Sequence, residues 1–207
     1  MMKKLSIALA VSVLLLTGCT GITKSKAPPV SIYPLHAQRP ENRTSTAAVI
    51  IPEPEMPAGL DTSRIGLYLA GGRRMDYYAD ATWPDSLPRV LQDVVIQSAP
   101  FSAIAPDTGV NAPYALNIKV NEFIAVYADT ADGLPEARVS LTFHLVARGQ
   151  EKILADFTVT HNAPVTANTV TEVTRTLENS LQMCLAEGLS TIRRDITGAK
   201  KKPDRGN

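Results

Sequence analysis

The sequence predicts an α+β fold: a single domain in which an antiparallel sheet is covered on one face by two long helices. Two observations carry this. Residues 139–147 and 153–159 alternate apolar and polar side chains with period two, and residues 114–120 do the same, which gives three strands of an antiparallel meander with one buried face. Leu87, Val90, Leu91, Val94 and Val95, and later Val170, Val173, Leu177, Leu181, Cys184, Leu185, Leu189 and Ile192, recur instead at helical spacing.

Taken in order, residues 32–35 form a short strand candidate, followed by a polar stretch over 36–46. The apolar run 47–51 is stopped by Pro52 and Pro54. Residues 65–69 and 75–79 read as a hairpin around Gly71-Gly72. After Trp83-Pro84, Asp85 is the expected N-cap of the first helix. Pro88 falls in the first turn, where a missing N–H costs little. Residues 101–105 give another short strand. In 114–127 the alternation shifts phase near Phe123, as a bulge would cause, and the loop 129–135 follows. Gly149-Gln150 turns the chain between the last two meander strands. Thr169-x-x-Glu172 opens the second helix as a capping box. The coarse order is ββββ–α–ββββ–α, without an internal repeat.

The ends of the chain are of a different kind. Lys3 and Lys4 precede an apolar run over 5–16 that is too short to cross a hydrocarbon core of about 30 Å. Leu16-Thr17-Gly18-Cys19 then resembles the lipobox of bacterial lipoproteins. That resemblance implies cleavage before Cys19 and acylation of its thiol and new amine. A single acyl chain binds a bilayer marginally and two or more hold it stably. The competing reading is a plain secretory signal or an uncleaved anchor. The expected organisation is a signal peptide over 1–18, an acylated cysteine and tether over 19–30, a domain over 31–197 and a disordered basic tail over 198–207. Thr20 follows the cysteine in place of the aspartate that favours inner-membrane retention in enterobacteria. The resemblance therefore points to the periplasmic face of the outer membrane.

The chain has 21 Lys and Arg against 20 Asp and Glu, and Lys3 and Lys4 leave with the signal. A near-neutral domain has no nucleic-acid footprint. With Cys19 consumed by lipid, Cys184 has no partner for a disulfide, and its place in the helical stripe reads as a small buried hydrophobe.

No catalytic constellation emerges. His36, His144 and His161 share no metal-ligand spacing, and no Gly-x-Ser-x-Gly elbow is present. Neither a cofactor nor a metal is expected. Gly71-Gly72-Arg73-Arg74 reads as a hairpin tip able to touch a partner. Glu53 and Glu55 flank prolines and are expected in solvent. Met75, Tyr77, Tyr78 and Trp83 cluster within nine residues. Trp83 is expected in the core, and of Tyr77 and Tyr78 one faces inward and one outward. Arg73, Arg74, Tyr77 and Tyr78 are the candidate partner-binding residues.

The order Val49-Ile50-Ile51-Pro52, Gly59-Leu60-Asp61-Thr62-x-Arg64-Ile65 and Met75-Asp76-Tyr77-Tyr78-Ala79-Asp80-Ala81-x-Trp83, with Tyr33-Pro34-Leu35 and the lipobox, resembles the auxiliary lipoproteins of ABC-type transport systems. These are the PqiC-like proteins found with a permease, an ATPase and a protein of the MCE family. The similarity spans residues 30–197. It implies a non-enzymatic envelope component that docks an MCE lipid-transport assembly, and a homo-oligomer. Sheet edges left open near Tyr33 or Phe101 agree with oligomerisation. A stand-alone periplasmic lipid- or ligand-binding lipoprotein is the alternative.

Overall fold

A computed structural model describes residues 29–43, 48–128, 133–150 and 152–201. The expected leader with Leu16, Thr17, Gly18 and Cys19 lies outside these residues, as do parts of the expected tether, of the 129–135 loop and of the expected tail. The elements run β1 (Ser31–Ile32), β2 (Val49–Ile50), β3 (Arg64–Leu69), β4 (Arg74–Thr82), α1 (Leu87–Ser98), β5 (Ala103–Ile104), a 3-10 turn (Pro106–Thr108), β6 (Tyr114–Val126), β7 (Glu136–Ala147), β8 (Lys152–Pro164) and α2 (Val170–Lys201). The order expected from the sequence is the order found.

All eight strands join one sheet around β6. On one side β6 pairs antiparallel with β7, and β7 with β8, which is the expected meander. On the other side two partners share β6. Its start pairs with β2, which also pairs with β5, and its end pairs with β3, which continues into β4 and β1. The sheet is mixed where the sequence suggested an antiparallel one, because β1–β4, β2–β5, β2–β6 and β3–β6 are parallel. Alternation fixes which face a residue takes and is silent on the direction of a neighbour. The crossover through α1 is what lets β3 and β6 run the same way.

Local chemistry sets the ends of these elements. The run at 47–51 keeps only Val49–Ile50 as strand, since Pro52 and Pro54 lack ladder donors. Pairing resumes for a single residue, where Glu55 donates to Ile118 and accepts from Val120. In β6 the register skips Asn121, between Val120 and Glu122, which produces the phase shift read near Phe123. The β3–β4 turn takes positive φ at Ala70, Gly71 and Gly72, a backbone that glycine adopts without Cβ strain.

The first helix is capped by Ser86, one residue later than expected, with no side-chain cap bond. Asp85 instead accepts from the Ser86 N–H, and the Leu87 N–H is satisfied by the Thr62 carbonyl. Pro88 lies within the first turn, and Leu87, Val90, Leu91, Val94 and Val95 are all buried. At α2 the capping box forms by half. Glu172 N–H bonds Thr169 Oγ1, while the Glu172 carboxylate turns to Thr166 and Arg175. The helix continues through Gly198 to Lys201, beyond the expected end. Its 32 residues span about 48 Å.

One core lies between sheet and helices. Ala137, Val139, Leu141, Phe143 and Leu145 of β7 meet Leu177, Leu181, Cys184 and Leu185 of α2, and Trp83 packs on Phe123 with ring centroids 5.8 Å apart. Gly188 brings α2 so close to β7 that a Cβ there would lie 2.3 Å from the Phe143 ring. Phe143 stacks in turn on Phe157 at 5.4 Å. Residues 33–40 run along α2 as a strap. Tyr33 reaches Thr171 at 3.5 Å, His36 contacts Glu178, and Gln182 donates to the His36 carbonyl.

Candidate functional site

The tyrosine pair lies on β4, whose pleat sends the two rings to opposite faces. Tyr78 turns toward the helix side. Its hydroxyl is 3.0 Å from that of Tyr127, which donates to Asn168 at 2.7 Å just before α2. Burial, and then the Tyr127 hydroxyl, push the Tyr78 phenol well above the ordinary tyrosine range, so it stays a neutral donor. Tyr77 turns to the other face, where its hydroxyl donates to the Gly59 carbonyl at 2.9 Å and Arg64 sits 3.8 Å over its ring. Both rings are half-buried. Arg73 and Arg74 are exposed at the hairpin tip and form no ion pair among the described residues.

The chain 52–62 makes this arrangement. After the Glu55 bridge to β6 it brings Gly59 against Met75 of β4 and Leu60 against Gly66 of β3. The sequence signal for this cover is slight: Met56, Gly59 and Leu60 in a connection otherwise rich in proline and acid. Trp83 is in the core, 2% exposed, as expected.

The remaining candidates of the sequence fall where their phases place them. Cys184 is fully buried. Its thiol points at the Val139 and Val159 carbonyls at 3.7 and 3.8 Å, and burial pushes its pKa up to about 11. A neutral thiol in the core is a poor nucleophile. His144 faces outward on β7, 3.7 Å from Asp156, and His161 bonds the buried Ser180 at 3.1 Å. The three histidines thus lie with three different partners. No group of three metal-ligating side chains occurs among the described residues. Glu53 is exposed in solvent and pairs loosely with Arg89 at 3.4 Å. The outer face of the meander is a ladder of hydroxyls: Asn121 to Thr142 at 2.9 Å, Thr142 to Thr158 at 2.8 Å and Ser140 to Thr160 at 2.9 Å.

Clefts are modest. One of about 230 Å³ lies between the strap, the end of α1 and α2, with Pro40, Ser98, Pro100, Leu185, Leu189 and Arg193 on its walls. Another of about 410 Å³ is lined by Asn111, Ala112, Pro113, Arg148 and Gly149, a set with no large apolar side chain. Among the described residues no helix is long and apolar enough to cross a membrane.

The fold is similar to that of protein XCC0632 from Xanthomonas campestris, at TM-score 0.74 and 19% identity over 84% of this chain and 100% of that one. It is also similar to that of a second, uncharacterised protein, at TM-score 0.63 and 13% identity over 80% of this chain and 99% of that one. No curated protein matches the sequence. The profile of the ABC-type transport auxiliary lipoprotein component matches residues 33–187, from the strap through most of α2. The chain belongs to that family of transport-associated lipoproteins.

Proposed function

We propose that this chain is a lipid-anchored, non-enzymatic docking component of an MCE-type lipid-transport system. In this reading acyl chains on Cys19 hold it at the periplasmic face of the outer membrane. Its partners are an MCE protein with its permease and ATPase, and copies of itself; the ATPase supplies the energy. One observation carries the reading. The family match over residues 33–187 takes in nearly all of the folded domain, downstream of a leader that ends in Leu16-Thr17-Gly18-Cys19. The hairpin tip with Arg73 and Arg74, and Tyr77 and Tyr78 beside it, is the proposed contact. Two cations at an exposed turn, braced by tyrosines that are themselves tied to the fold, suit a rigid docking point.

The stand-alone lipid carrier is the weaker reading. The cleft with apolar walls holds about 230 Å³, below the roughly 300–1,000 Å³ usual for drug-sized ligands. A two-chain phospholipid is larger still. Crosslinking in intact cells, followed by recovery of this lipoprotein and mass spectrometry, separates the two. An MCE-family protein is the expected catch. Recovery of none, with phospholipid bound stoichiometrically to the purified chain, favours the carrier.

A further inference from the structure

The cleft between the strap, the end of α1 and α2 has a floor and a rim of different chemistry. Leu185 and Leu189 are almost wholly buried at its base, and Pro40 and Pro100 add apolar walls. Ser98, the last residue of α1, also lines it. Among the described residues the Ser98 hydroxyl is the one enclosed side-chain polar atom with no hydrogen-bond partner. A hydroxyl shut away from water is ordinarily satisfied by protein, solvent or ligand.

Charge points the same way. Arg193, half-buried on the wall, forms no ion pair among the described residues, and no Asp or Glu lines the cleft. The end of α1 carries no basic residue of its own and would present a negative dipole here. The strap offsets it: Arg39 donates to the Gln97 side chain at 3.1 Å and Arg43 to the Gln97 carbonyl at 2.7 Å. A guanidinium with no ion pair among the described residues, on the wall of a leucine-floored slot, complements a group that is anionic at one end and apolar at the other. The guanidinium fork matches a carboxylate. The volume admits one short chain.

We infer that this cleft is a binding site for a small amphipathic carboxylate of the fatty-acid class. Arg193 holds the head, and Leu185 and Leu189 form the floor beneath the chain. This goes beyond the docking reading. It assigns a ligand to a surface away from the β3–β4 hairpin, and stands whether or not the partner is a transporter.

The test uses the full-length acylated protein in a nonionic detergent, with octanoate, octanol and acetate as probes. The methyl resonances of Leu185 and Leu189 are followed by NMR, so that partition of a probe into the micelle is not mistaken for binding. Octanoate is expected to shift both methyls saturably, with one molecule per chain. Octanol, which lacks the charge, and acetate, which lacks the chain, are each expected to bind at least tenfold more weakly. Arg193→Gln is expected to weaken octanoate at least tenfold while leaving octanol unchanged. Ala186→Phe fills the slot from its exposed wall and is expected to abolish the shifts. Octanol binding as tightly as octanoate, octanoate binding undiminished in Arg193→Gln, or no saturable shift overturns the inference. The probe comparison on the unaltered protein keeps the test decisive should either variant fold poorly.

Discussion

Where α2 crosses the meander, the chain is held by close approach: Gly188 sits on the Phe143 ring, that ring stacks on Phe157, and Cys184 fills the gap between β7 and β8. Around the β3–β4 hairpin the same sheet is held by polar ties instead. Tyr78 reaches Tyr127, Tyr77 reaches Gly59, Arg64 lies on a tyrosine ring, and the two arginines at the tip form no ion pair among the described residues. The first region spends its side chains on a core. The second holds a few groups in place at the surface. That difference separates the scaffold from the proposed docking point.

The comparison breaks most readily at Gly188. Alanine ordinarily raises helix stability by about 1 kcal/mol over glycine. Here its Cβ would meet a ring that is itself fully buried, so overpacking of about 1–3 kcal/mol is expected to win. Thermal denaturation of Gly188→Ala should therefore show a lower midpoint than the unaltered protein. An unchanged or raised midpoint would mean that α2 can lift off β7 without cost, and that the two regions are packed alike.

A second effect comes from Cys184. Its pKa rises from an ordinary 9.0 to about 11 in the fold. The folded state therefore keeps a proton that the unfolded chain gives up. Stability from this thiol is fully present below pH 9 and is lost as pH rises toward about 11. Denaturation midpoints across that window should fall less in Cys184→Ala than in the unaltered chain. A thiol reagent at mildly alkaline pH should label Cys184 only as fast as the protein unfolds.

The smallest effect is expected in the polar region. Tyr78→Phe removes one hydrogen bond while Tyr127 keeps Asn168, so about 0.5–1.5 kcal/mol is expected from equilibrium unfolding. The same variant should weaken partner recovery in crosslinked cells only if the hairpin is the contact. A loss of stability larger than that of Gly188→Ala would reverse the ranking of the two regions.

Much of this was legible in the sequence, and for a physical reason. Burial of one face imposes period two on β7 and period 3.6 on α1 and α2, so Val139, Phe143, Leu91 and Leu177 announce their side. The bulge at Asn121 was visible as a broken phase. Strand direction was not, because a two-residue strand such as β2 or β5 carries no signature of its neighbours. The strap over 33–40 was hidden in the same way: the hydrogen-bond partners of Tyr33 and His36 lie about 140 residues away in the chain. The cleft beneath the strap was hidden with it, since its walls come from the strap, the end of α1 and α2, which are far apart in the chain. At the candidate contact, alternation correctly split Tyr77 from Tyr78. What each ring would bind depended on Gly59, Tyr127 and Arg64, which no local pattern connects to them. The open edges expected near Tyr33 and Phe101 correspond to β1 and β5, of two residues each.

The most direct measurement concerns the proposed acyl anchor at Cys19. Cys19→Ser is compared with the unaltered chain for thermal midpoint, membrane fractionation and recovery of the transport partner from crosslinked cells. The expected result is an unchanged midpoint, loss from the outer-membrane fraction and loss of the partner. A Cys19→Ser protein that still pellets with outer membranes and still recovers its partner would contradict the account, since docking would then place the domain without the lipid.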